Sequence, residues 1–341
     1  MQSNQNRAFR FIAALILSVT VACGEAPSSA RTYRIGMVHW AAYASLNVAD
    51  VKGFWAKRGL KVEVVNYVDN TKLNSDLHSR NLDLAEDMIG SWVDLYTQGV
   101  PLTVLGETDW SFGGDKIILK NSVSDLNSLK GQHVGLYLNL LSTNFFVAKF
   151  LDDNGLKFSD FTFDEAVGPD SLADDFVAGK YNLMLDYDPA AVRAVADGKG
   201  RVVRTSRDYP GVIPEGMVAR TDHLRGIPYQ DLVKIFEGWI EGVKWKNDPA
   251  NWVEFQKILN EKTFPGDSPN GSFTEAELRE FLNNVNVHDQ ATQLARNQTG
   301  GGLYQYLSDA SAFMQKYHPD RKPFLTRDVF DNTAIVQALK E

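Results

Sequence analysis

From position 33 the chain alternates between two hydrophobic periods. Y-R-I-G-M-V (33–38) is an apolar run of strand length. K-V-E-V-V (61–65) alternates with the period of two that a half-buried strand requires. Between them, 42–58 carries Leu46, Ala49 and Gly53 on one helical face and Val48, Val51 and Trp55 on the next, and Gly59 closes the helix. The same reading gives a helix at 70–77 and strands at 82–85, 102–105, 116–120, 133–138, 182–186 and 201–204. Helical segments near 143–154, 171–179 and 189–197 lie between most of these strands. From about Pro228 the strands stop and helices follow near 229–247, 249–261, 274–283, 287–296 and 303–317. Thr274 and Glu277 have capping-box spacing at one of the starts. The strand–helix rhythm predicts an α/β fold with largely parallel sheets flanked by helices.

Residues 1–23 break this pattern. Arg7 and Arg10 precede the apolar run F-I-A-A-L-I-L-S-V-T-V-A (11–22), which ends at Cys23. That is the layout of an export signal, and the run is too short for a spanning helix. T-V-A-C (20–23) resembles a lipobox with Thr20 in place of the usual Leu, which makes Cys23 the candidate for lipidation. Segment 24–31 then reads as a tether. Without Cys23 no cysteine remains for a disulfide, so burial must stabilise the fold. About 310 residues suffice for a large core in two lobes.

The whole chain carries a net charge of −8. Removal of the signal takes Arg7 and Arg10 with it, leaving 33 basic residues against 43 acidic ones, a net −10. Such a surface excludes nucleic acid as a partner. E-T-D-W-S-F-G-G-D (107–115) places three carboxylates and a tryptophan between two apolar runs, more chemistry than a turn needs.

Several segments in order resemble one family. They are D-V-K-G-F-W-A-K-R-G-L-K-V-E (50–63), N-S-D-L-H-S-R-N-L-D-L-A (74–85), D-W-S-F-G-G-D-K-I (109–117), D-L-N-S-L-K-G-Q-H-V-G (125–135) and D-D-F-V-A-G-K-Y-N-L-M-L-D-Y-D-P-A (174–190). Their order and spacing resemble the solute-binding proteins of bacterial ABC importers in the nitrate, sulfonate and taurine group, which also includes thiamine-precursor binders. The resemblance implies a periplasmic-binding-protein fold with the ligand in the cleft between two lobes. The first lobe would take 32–119 and 222–341, and the second 120–221. It implies hinge closure around the solute as the signal read by permease and ATPase subunits. It also implies a monomer on the periplasmic or cell-surface side of a membrane, held by a lipid on Cys23, with no cofactor.

In such sheets a ligand sits outside the carboxyl ends of strands. Those ends place Trp40 and Tyr43, Glu86 and Asp87, Asp109 and Trp110, Ser142, Thr143 and Asn144, Asp186, Tyr187 and Asp188, and Glu215 at the cleft. E-T-D-W-S is then a strand-end loop. Asp and Glu dominate this set, aromatic faces accompany them, and His39 is the main basic candidate. Carboxylates and rings suit a cation. The expected solute is a small cationic nitrogen compound such as guanidinium, an amine or an aminopyrimidine. The start of a helix at Ser142 keeps taurine, a sulfonate or nitrate open, because free N–H groups there suit an anion. Asp109 and Asp115 also read as turn- or helix-capping residues, and Gly113 and Gly114 as turn formers. A sensor domain reporting to a kinase is the alternative of a different class.

Enzyme chemistry finds little support. The histidines at 39, 78, 133, 223, 288 and 318 have no metal-ligating spacing, G-x-S-x-G is absent, and no cysteine remains to act as a nucleophile.

Overall fold

The computed structural model describes residues 31–340 except 69 and 269. The expected signal with Cys23, and the tether up to residue 30, lie outside the described residues. The strands are β1 (Thr32–Val38), β2 (Lys61–Tyr67), β3 (Leu84–Met88), β4 (Leu102–Ser111), β5 (Asp115–Lys120), β6 (His133–Leu136), β7 (Thr162–Glu165), β8 (Leu183–Tyr187), β9 (Gly200–Thr205), β10 (Pro214–Arg220) and β11 (Val285–Val287). The helices of the first two thirds are α1 (Ala44–Val51), α2 (Asn70–His78), α3 (Ile89–Thr97), α4 (Leu141–Asp153), α5 (Pro169–Val177) and α6 (Ala190–Asp197). The remainder are α7 (Thr221–Leu224), α8 (Tyr229–Lys246), α9 (Trp252–Ile258), α10 (Glu275–Asn283), α11 (Gln290–Asn297), α12 (Gly302–Tyr317), α13 (Thr326–Val329) and α14 (Thr333–Ala338). No helix among the described residues is long and apolar enough to cross a membrane.

The strands form two sheets, in the orders β11-β4-β10-β3-β1-β2 and β7-β6-β8-β5-β9. Helices cover both faces of each, so central strands are buried on both sides. In β1, Tyr33, Ile35 and Met37 point into the core under α1 and α8. Gly36 faces the other way, where a Cβ would meet Leu73 and Leu82 at 2.5–2.6 Å. That face packs against Tyr67, Leu73, Leu77 and Trp92 from α2, α3 and the end of β2. In the second sheet α5 and α6 cover one face around Phe176 and Tyr181, and α4 covers the other.

The sheets are mixed rather than largely parallel. β1 is parallel to β2 and β3, and β6 to β7 and β8. β10 is antiparallel to β3 and β4, β11 to β4, and β5 to β8 and β9. Connectivity explains most of the difference. Parallel neighbours need a crossover that brings the chain back to the same end. β5 and β10 instead arrive straight from the other sheet, through residues 112–114 and 206–213. β5, counted with the first lobe in the sequence reading, therefore pairs in the second sheet, and β10 pairs in the first. The C-terminal α12 sets Phe313 against Phe145 and Phe158 of the second half.

Other differences have local causes. The helix expected over 42–58 ends as an α-helix at Val51, because Gly53 takes φ +67° and turns the chain. E-T-D-W-S is not a loop but the end of β4, paired with β10 on one side and β11 on the other. Strands β7, β10 and β11 and helix α3 lie where the hydrophobic pattern indicated no element.

Candidate functional site

The carboxyl ends of β1, β3, β6 and β8 converge, and the amino ends of the antiparallel β5 and β10 meet them. This brings Trp40 and Tyr43 after β1, Asp87 in β3, Tyr137 after β6 and Tyr187 in β8 onto one cavity. Asp115 opens β5, Glu215 lies at the start of β10, and Asn70 opens α2 on the same cavity. Its volume is about 50 Å³. The walls come from both sheets, and Trp40 from the first meets Tyr187 from the second edge-on at 6.2 Å.

Among the described residues, no basic side chain hydrogen-bonds to the three carboxylates of this cavity. Asn70 Nδ2 and the Met88 N–H donate to Asp87, the latter at 2.8 Å. The Tyr137 hydroxyl donates to Asp115 at 2.6 Å, and Trp40 Nε1 donates to Glu215 at 2.8 Å. Among the described residues lining the cavity none is Lys or Arg. Burial penalises these charges and raises all three carboxyls above their ordinary range, Asp87 to about 6. For Glu215 the charge of nearby Asp109 adds to that push. A cation entering here would meet lone pairs, and the ring faces around them would exclude water.

Behind the cavity the acids continue. Glu86 is fully buried with both carboxylate oxygens unpartnered, and burial and Asp109 push its carboxyl well up. Asp109 accepts the Thr108 hydroxyl at 2.8 Å and keeps one oxygen free. Neither lines the cavity. Asp186 is buried beside it, accepts the Tyr187 N–H at 2.9 Å, and is pushed up to about 8 by burial. Asp188 lies outside the small cavity, paired with Lys116 and accepting from Asn284 Nδ2. Trp110 packs edge-on against His288 at 4.5 Å, away from the cavity.

Ser142, Thr143 and Asn144 are buried at the start of α4 but do not reach the cavity. Ser142 Oγ lies 3.3 Å from Ser91 Oγ in α3. The Thr143 hydroxyl donates to the carbonyls of Leu138 and Leu140, and Asn144 Nδ2 donates to Asn139. The Leu141 N–H donates to the Asp94 carboxylate at 3.1 Å, so this helix start already holds an acid. His39, the basic candidate, is paired with Asp267 at 2.8 Å. Asn70 and Tyr137 are not among the residues the sequence points to, and Asp115 reads from the sequence as a capping residue. The strand-end rule points at Tyr137 if the strand ends at 136, as it does, instead of 138.

A family model described as NMT1-like matches residues 26–260, more than half of the chain. The chain belongs to the NMT1-like family. Among solved structures, this NMT1-like chain is similar to a ligand-binding component of an ABC-type import system from Staphylococcus aureus, solved with zinc bound. The TM-score is 0.68 at 14% identity, over 90% of this chain and 99% of that one. The periplasmic aliphatic sulphonate-binding protein of Escherichia coli gives 0.64 at 16% identity, over 89% and 94%. The periplasmic nitrate-binding protein of Synechocystis gives 0.61 at 17%, over 92% and 89%. The likeness is one of fold, and the fold is that of the periplasmic binding proteins. Comparison with curated proteins gives no match.

Proposed function

We propose that this NMT1-like protein is the extracytoplasmic solute-binding component of an ABC importer. It captures a small cationic nitrogen compound of the guanidinium, amine or aminopyrimidine type and delivers it to the permease. The importer role is supported by the shared fold and by the export-type signal at 1–23, with Cys23 as the lipid anchor. One observation carries the solute class. Asp87, Asp115 and Glu215 open onto a single cavity, and among the described residues no basic side chain hydrogen-bonds to them. Trp40, Tyr43, Tyr137 and Tyr187 surround them with ring surface.

A second reading, a sulfonate, taurine or nitrate solute, draws on two similar structures, a sulphonate-binding and a nitrate-binding protein. Several donors that an anion could use are committed elsewhere: Trp40, Tyr137 and Asn70 to the pocket's own acids, and the start of α4 to Asp94. A thermal-shift panel on the full chain separates the two, since a ligand that binds only the folded state raises the melting temperature. The panel holds guanidinium, small amines, aminopyrimidines, taurine, alkyl sulfonates and nitrate. A rise with cations is expected. A rise with sulfonate or nitrate alone would transfer the protein to the second reading.

A further inference from the structure

Outside the acidic cavity, and sharing His39, Trp40 and Tyr187 with it as walls, lies a second chamber of about 240 Å³, nearly five times the volume of the 50 Å³ inside. Its chemistry differs. Phe264, Phe273 and Phe281 form part of its wall and pack edge-on against one another, with centroids 5.0–5.7 Å apart. Pro169, Pro189 and Ala190 complete the apolar surface from the second half of the molecule.

This chamber also holds acids, but each of them has a basic partner. Asp267 is paired with His39, Asp188 with Lys116, and Asp170, largely exposed, with Arg193 at 3.4 Å. The inner carboxylates have no such partner among the described residues. The inner carboxylates are thus the ones outside any ion pair, and the outer chamber sets ring and aliphatic surface beside its paired acids. A bare ammonium or guanidinium would fill the first and leave the second wet.

We infer that the solute carries its cationic head on an apolar body of about the size of one aromatic ring. The head sits among Asp87, Asp115 and Glu215, and the body lies against Phe264, Phe273 and Phe281. Trp40 and Tyr187, common to both chambers, flank the junction. The inference rests on the cation reading of the same cleft and narrows it to an aryl- or branched alkyl-substituted amine or amidine. Burying such a body removes apolar surface from water on both partners, which raises affinity without further polar contact.

Isothermal titration of the full chain with acetamidinium, benzamidinium, benzoate and taurine tests it. The two amidinium ions share a head and differ in body. Benzamidinium is expected to bind at least tenfold more tightly than acetamidinium. Phe273→Leu and Phe281→Leu are expected to shrink that ratio, and Asp115→Asn to weaken both ions. Comparable affinities for the two amidinium ions would overturn the two-chamber inference and leave the cation reading standing. Binding of benzoate or taurine with neither amidinium, or no binding at all, would overturn both.

Discussion

Glu215 is a buried acid that accepts Trp40 Nε1 at 2.8 Å and lies beside Asp109, with no ion-pair partner among the described residues. Burial and Asp109 favour its protonated form, and a cation in the cavity would favour the charged one. Glu215→Gln keeps the shape and removes the charge. The affinity for a cationic solute should fall ten- to hundredfold, about 1.4–2.7 kcal/mol. The melting temperature of the empty protein should hold or rise, because one like charge leaves the cluster. Calorimetric titration and circular-dichroism melting read the two effects separately. A parallel loss of both would mean that Glu215 holds the fold and not the solute. Asp87 adds a pH dependence of opposite sign in the two measurements. Its carboxyl titrates near 6 in the folded chain against an ordinary 3.8, so the empty folded state binds the extra proton. The stability it contributes is complete below pH 4 and is lost as pH rises through about 6. A cation needs the ionised form, so its affinity should rise through the same window and level off above it. Melting curves and titrations at pH 5, 6, 7 and 8 check both slopes.

At the scale of elements, β4 shows what E-T-D-W-S is for. Opposite β10 the ladder skips Thr108, a bulge that leaves main-chain groups without strand partners. α11 supplies them. Asn297 accepts the Glu107 N–H at 2.7 Å and donates to its carbonyl at 2.8 Å, and Gln293 donates to the Thr108 carbonyl at 2.7 Å. The fully buried Glu107 is held by Arg296 through two bonds of 2.8 Å and by His288 at 2.7 Å. One acid of the segment is thus held by a guanidinium, while Asp109 and Asp115 form no ion pair among the described residues and accept from hydroxyls, Thr108 for the first and Tyr137 for the second. Arg296→Met leaves a buried carboxylate short of its main partner and should destabilise the protein by about 3 kcal/mol. His288, still in contact, keeps the loss at that low end. Urea unfolding measures it, and an unchanged midpoint would show that Arg296 is a surface ornament. Elements of this kind mark where the sequence stops being readable. Strands with plain apolar runs, such as 33–38 and 183–187, announce themselves. β10, P-E-G-M-V-A-R, opens with Pro and contains Gly, the letters of a turn. It is a strand because β3 and β4 flank it, and Gly216 is required because a Cβ there would lie 2.1 Å from the Gly106 carbonyl. The same limit applies to the site. Trp40, Tyr43, Asp87, Tyr187 and Glu215 follow from strand ends, and so does Tyr137 once β6 is ended at 136, whereas Asn70 depends on how the start of α2 comes up to the sheet.

At the scale of the whole molecule, the two sheets are tied on one side and meet at the cleft on another. Residues 112–114 and 206–213 carry the chain across, and Ser206 Oγ joins them by accepting the Gly113 N–H at 2.7 Å. Met88, Ile89 and Val93 of the first half share one core with Leu136, Phe146 and Phe150 of the second and with Leu303 and Phe313 of α12. Rotation about the crossing segments is the closure that such an arrangement permits. The field around the molecule bears on how a solute arrives. The chain has a net charge of −8, and its cavity holds carboxylates with no ion-pair partner among the described residues. If this acidity serves only solubility, the association rate of a small cation will not respond to salt. If it steers, raising the ionic strength from 10 to 150 mM shortens the screening length from about 30 Å to about 8 Å and should slow association severalfold. Dissociation, governed by contacts inside the cavity, should change little. Stopped-flow tryptophan fluorescence, with Trp40 at the site as reporter, yields both rates. An anionic solute would show the reverse, with association speeding up as salt screens the repulsion. The sign of the slope therefore tests the charge of the solute by a route that does not depend on which carboxylate touches it.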